Sequence, residues 1–122
     1  MINIEIMPAA RGAAGYYISE GHAGDGMSHL CNAVTAIEGC LEANLKNTWS
    51  IRVDLKTNET SGGCQMRWRK TDREGKSLHR ANQAAGFAYT GLKALAEEYP
   101  DIIHITLKQA AFLPRKREGE TR

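Results

Sequence analysis

Cysteine is scarce in this chain. Its 122 residues contain three, Cys31, Cys40 and Cys64, an odd number with no CxxC pair. That pattern argues against a disulfide framework and fits reduced thiols inside a cell. The spacing also lacks the short ligand pairs of structural zinc, so neither a metal nor a cofactor is expected. Long apolar runs are missing as well, and nothing approaches the roughly 18 residues that a membrane-spanning helix needs. Residues 1–7 alternate Ile2, Ile4 and Ile6 with Asn3 and Glu5. This reads as an amphipathic strand, without the basic start and apolar centre of a secretion signal. The expectation is a soluble cytoplasmic protein with no membrane contact. Charge of one sign is absent too: 16 basic against 14 acidic side chains leave a formal charge of +2, too little to demand a polyanionic partner.

What is present fits one compact domain. The length excludes a two-domain enzyme, and 42% hydrophobic with 25% charged residues is enough to build a core. No repeat or linker interrupts the chain. Residues 1–113 read as a single domain, and Pro114 to the C-terminus as a charged tail unable to bury enough surface to order itself.

Local patterns supply the elements. Ile2–Ile6 and Tyr16–Glu20 are strand candidates separated by the turn formers Arg11-Gly12-Ala13-Ala14-Gly15, which predicts a hairpin. Gly21 to Gly26 contains three glycines and reads as a mobile loop. Leu30, Val34, Ile37, Leu41 and Leu45 recur at helical spacing, with Ser28 as the expected N-cap and an end near Lys46. Ile51, Val53 and Leu55, then Cys64, Met66 and Trp68, alternate with polar residues on either side of a turn-rich stretch, predicting a second hairpin. A polar loop over Thr71–Ser77 leads to Ala84, Ala88, Leu92, Leu95 and Tyr99 on a second helix, which Pro100 stops. Ile102 to Leu107 reads as the last strand. The order ββαββαβ predicts an α+β two-layer sandwich, with both helices on one face of a five-stranded sheet.

Among residues capable of chemistry, Cys31 is the most informative. Capping at Ser28 places it in the first turn of a helix, where free N–H groups and the positive dipole end favour a thiolate. At about 80° from the centre of the apolar stripe it borders core and solvent. A small buried hydrophobe is the competing reading. His22 follows the second strand and lies within reach of that helix start across the glycine-rich loop. A Cys-His pair there would unite a nucleophile with a group that lowers the thiol pKa and later protonates a leaving amine. A turn histidine bonded to nearby backbone remains the alternative. His29 points elsewhere on the helix. Cys40 and Cys64 read as packing residues. Arg52, Lys56 and Arg67-Trp68-Arg69-Lys70, with the tail Arg115-Lys116-Arg117, could form a basic face. Strand alternation puts Trp68 on the side opposite Arg67 and Arg69, however, so stacking recognition of nucleic acid is not expected.

Gly21-His22-Ala23-Gly24, followed by Leu30-Cys31-Asn32-Ala33-Val34-Thr35-Ala36, resembles the signature of the ribosomal-processing cysteine protease family called Prp. Gly91 to Asp101, with its Tyr-Pro-Asp exit, is similar to that family's closing helix, and the resemblance spans residues 2–107. It implies a cysteine endopeptidase with Cys31 as nucleophile and His22 as general base. The implied substrate is the N-terminal extension of a large-subunit ribosomal protein or a related phage structural protein, and the implied assembly is a homodimer. Two features depart from the family: the His22–Cys31 loop is shorter, and Ser28 stands where members usually carry an aspartate. Ser28 is then expected to cap the helix and Asp25 to orient His22, with Gly21, Ala23, Gly24 and Gly26 forming the loop over the substrate. The alternative is a noncatalytic relative that binds a peptide or ribonucleoprotein through the same groove.

Overall fold

The computed structural model describes residues 1–10, 13–48, 51–58, 63–71 and 76–108. Alternation becomes strand where one face meets the core, and 3.6-residue periodicity becomes helix. In chain order the elements are β1 (Ile2–Met7), β2 (Gly15–Gly21), α1 (Ser28–Lys46), β3 (Ile51–Asn58), β4 (Gly63–Lys70), α2 (Lys76–Glu98) and β5 (Ile103–Leu107). The expected ββαββαβ order and two-layer α+β architecture are those observed. Boundaries shift modestly: β2 includes both flanking glycines, α2 begins at Lys76 inside the expected loop, and Ile102 belongs to the turn before β5, its N–H bonded to Tyr99 O at 3.0 Å.

The sheet order is β3-β4-β2-β1-β5. Both hairpins are antiparallel, β2 and β4 pair antiparallel, and β5 runs parallel to β1. The register stacks Ile103, Ile2, Gly21 and then Ile4, Ser19, Cys64, Thr57 in rows across the sheet. Because side chains on paired residues share a face, Ile2, Ile4, Ile6, Tyr17, Ser19, Met66, Trp68 and Ile103 all point to the helical layer, and all are buried. Arg67 and Arg69 lie exposed on the opposite face from Trp68, as alternation predicted.

The helices cover this face with Leu30, Val34, Leu41 and Leu45 from α1 and Ala81, Ala84, Ala85, Ala88 and Leu92 from α2. Alanines let α2 lie close to its neighbours. Asn82 adds a polar rivet: its Oδ1 accepts from Ala9 N–H at 2.9 Å and from Trp68 Nε1 at 3.2 Å, while its Nδ2 donates to Ala9 O at 2.8 Å. The amide thereby joins α2, β4 and the segment after β1, satisfying three groups in the interior. No helix among the described residues is long and apolar enough to cross a membrane. The expected tail and its Arg115-Lys116-Arg117 run lie outside the described residues.

Candidate active site

β2 ends at Gly21, whose φ of +99° strains any residue that carries a side chain. A Cβ there would also sit 2.0 Å from Met1 O, inside the β1–β2 pairing. His22 follows at once, and its carbonyl accepts from Met1 N at 2.5 Å. Gly24 and Gly26 also hold positive φ, +109° and +78°. Between them a turn closed by Met27 N–H to Gly24 O at 3.2 Å brings the chain round to α1.

That turn changes how α1 starts. Ser28 was expected as the N-cap, but Met27 occupies the position and no side chain caps the helix. Met27 O instead accepts from Leu30 N–H at 3.0 Å and Cys31 N–H at 3.2 Å. The positive φ of Gly26 lets the chain enter the helix one residue early, leaving Ser28 inside the first turn and exposed. Among the described residues the N–H groups of Ser28 and His29 make no hydrogen bond, so two donors remain at the positive end of the helix.

Cys31 is half-buried beside the core, the border position its helical angle predicted. Its Sγ accepts from Ala23 N–H at 3.4 Å. Ala23 is buried, and so the residue next to His22 is the one that touches the thiol. His22 and Asp25 are both exposed, and no hydrogen bond joins the His22 imidazole to Cys31 or to Asp25. His29 turns to the edge of Tyr99, with ring centroids 6.3 Å apart.

The other thiols divide. Cys64 packs against the core, as expected. Cys40 does not: it is exposed at the rim of a cavity of about 270 Å3 between α1 and α2, lined also by Ile37, Leu41, Phe87 and Gly91. On the helical wheel it lies about 60° from Ile37 and about 100° from the centre of the apolar stripe, outside the face that meets the core.

One cluster was not anticipated. Glu38 Oε2 accepts from the Tyr17 hydroxyl and from Ser19 Oγ, the latter at 2.6 Å. Ser19 Oγ in turn accepts from Cys64 N–H at 3.3 Å, with Cys64 Sγ 3.8 Å away. Burial, then the Glu38 carboxylate, push the Cys64 thiol up to about 11 and raise the Tyr17 hydroxyl above its ordinary range. The available signal was Glu38 itself, a carboxylate at the edge of the apolar stripe; its partners in β2 were not recognisable from spacing. Ser19 and Cys64 also border a cavity of about 330 Å3 with Glu20, Lys56, Thr57, Gly63 and Gln65, at the end of the sheet that leads into His22. Among the described residues no group of three or more His, Cys, Asp or Glu side chains could hold a metal ion.

The fold is a two-layer α+β sandwich, and in this chain a cysteine in the opening turn of the first helix is faced by a glycine-rich loop. Solved structures similar in fold include the essential ribosomal processing protease Prp from S. aureus. In complex with a covalently linked product peptide it is 24% identical, with a TM-score of 0.66 over 88% of this chain and 100% of that one. In complex with a substrate peptide it gives 19% identity and a TM-score of 0.71 over the same shares. SMU.848 from Streptococcus mutans is 22% identical, with a TM-score of 0.69 over 90% of this chain and 96% of that one. These likenesses establish a common fold. No protein-family model matches the sequence, and no curated protein matches it.

Proposed function

We propose that this protein is a cytoplasmic cysteine endopeptidase in which Cys31 and His22 form the reacting pair. One observation carries the reading: the glycine-rich loop returns so that Ala23, adjacent to His22, donates to the Cys31 sulfur at 3.4 Å. Two glycines at positive φ, Gly24 and Gly26, give this loop the backbone freedom to bring the imidazole onto the thiol when an extended peptide binds. His22 takes the Cys31 thiol proton as the sulfur attacks the scissile carbonyl carbon, and N–H donors at the start of α1 stabilise the oxyanion. As the tetrahedral adduct collapses, the C–N bond breaks and the imidazolium returns that proton to the leaving amine, giving a thioester. Water, deprotonated by His22, then releases the acid and regenerates the thiol. Asp25, in the same loop, orients His22 once the loop has closed.

The similarity to Prp, solved with peptides bound, supports a peptide substrate; the substrate of this reading is the N-terminal extension of a large-subunit ribosomal protein, or a related phage structural protein. A homodimer and the absence of nucleic acid complete the reading. The test is alkylation of Cys31 across pH, with Cys40 and Cys64 replaced by alanine. His22→Ala should slow the reaction at neutral pH by at least about tenfold. Equal rates would remove His22 from the mechanism.

A noncatalytic peptide- or ribonucleoprotein-binding protein of the same fold is the second reading. It is favoured by the exposed His22 imidazole, which makes no hydrogen bond to Cys31. Slow, His22-independent alkylation would select it.

A further inference from the structure

We propose that Glu38 is a positioning residue for the Cys31–His22 pair, setting where β2 delivers His22 along α1; this rests on the cysteine-protease reading above. Glu38 follows Cys31 by seven residues, two turns on the same face of α1, or about 10 Å along the axis. Its carboxylate holds Tyr17 and Ser19, residues of β2 that are 0% and 4% exposed. Beyond them the chain reaches Gly21 and His22, and the second tether follows, from Ala23 N–H to Cys31 Sγ. Strand and helix are therefore fastened at two points, one on each side of His22.

An apolar contact would hold β2 to α1 equally well, because burial is non-directional. Hydrogen bonds to a single carboxylate oxygen are different. Sliding the strand along the helix would leave two buried hydroxyls without an acceptor, and buried polar groups are costly when unpaired. Such a cluster specifies one alignment among several of similar hydrophobic contact. The alignment it specifies is the one that places Ala23 against the Cys31 sulfur. Ser19 also takes the Cys64 N–H at 3.3 Å, tying this alignment to β4. A displacement of about 1 Å at a reacting pair is enough to cost two orders of magnitude in rate.

The test separates positioning from stability. In the full chain, Tyr17→Phe, Ser19→Ala and Glu38→Leu together replace the cluster with apolar groups and leave no orphaned hydroxyl. Iodoacetamide alkylation of Cys31, located by peptide mass spectrometry, is followed across pH with and without His22→Ala; circular dichroism verifies the fold. The expected result is that His22→Ala slows the otherwise unaltered chain by at least about tenfold and the triple variant by less than about twofold. Glu38→Gln, whose amide oxygen still accepts both hydroxyls, should restore the large factor. An equal His22 factor in the folded triple variant overturns the proposal, as does loss of that factor in Glu38→Gln. If the triple variant does not fold, Tyr17→Phe alone must still reduce the factor, and an unchanged factor overturns the proposal. Absence of any His22 effect in the unaltered chain instead refutes the protease pair, and the positioning role falls with it.

Discussion

Gly21→Ala tests how closely the fold and the site are coupled. Gly21 sits at φ +99°, and an added Cβ would lie 2.0 Å from Met1 O and 3.2 Å from Met1 C. Holding a side-chain-bearing residue in that region costs about 1–3 kcal/mol. The oxygen it strikes is backbone, so relief requires the end of the β1–β2 pairing to open, including the bond from Met1 N to His22 O. Each hydrogen bond lost there adds about 1 kcal/mol. Taken together the substitution should destabilise the domain by about 3 kcal/mol. For a small domain with a urea slope near 2 kcal/mol per molar, that lowers the unfolding midpoint by about 1.5 M. The same opening displaces His22 and loosens the Ala23–Cys31 contact. Cys31 alkylation should therefore lose its dependence on His22 under conditions where the variant is still folded. A destabilisation below about 1 kcal/mol, well under the summed costs, would refute the argument that this glycine is fixed by geometry.

Asn82→Ala removes three hydrogen bonds and leaves Ala9 N–H, Ala9 O and Trp68 Nε1 without their acceptor or donor. The expected loss is about 3 kcal/mol, read from urea unfolding; a change within experimental scatter would show that water takes the amide's place. The thiols should alkylate in the order Cys40 before Cys64, since Cys40 is exposed whereas Cys64 is held protonated. Quantitative mass spectrometry at neutral pH checks this, and the reverse order would contradict the burial at β4. Stability should fall as pH rises from about 9 to about 11, because the unfolded chain releases the Cys64 proton while the folded chain retains it. Urea midpoints at neutral pH and within that window measure the effect, and a midpoint that rises would reverse the sign.

Much of the architecture was legible locally. Ile2, Ile4 and Ile6 face the core because alternate strand residues share a side, and Leu30, Val34, Leu41 and Leu45 do so because their spacing makes one helical stripe. Cys31 could be placed at the border of that stripe for the same reason. Capping was less legible: serine is a good cap in general, yet the positive φ of Gly26 admitted Met27 to that role. Cys40 departs from the packing role expected of it because it lies about 100° from the centre of the α1 stripe, farther out than Cys31, and so stays in solvent at the rim of the groove.

The sequence by itself determined the periodicities, hence the order ββαββαβ, the inward faces of β1 and of the α1 stripe, and the glycine-rich loop that runs into the start of α1; it did not foresee that Cys40, Leu55 and Leu107 would be exposed. Tertiary structure decided the parallel placement of β5 beside β1, the contact of Ala23 with Cys31, the rivet at Asn82 and the joining of Tyr17, Ser19, Glu38 and Cys64. The division has a physical cause. Hydrophobic burial acts on whole faces and leaves a periodic trace along the chain. A hydrogen bond needs particular atoms within about 3 Å of each other, and the groups meeting at Glu38 come from positions that only the packing of β2, β4 and α1 brings together.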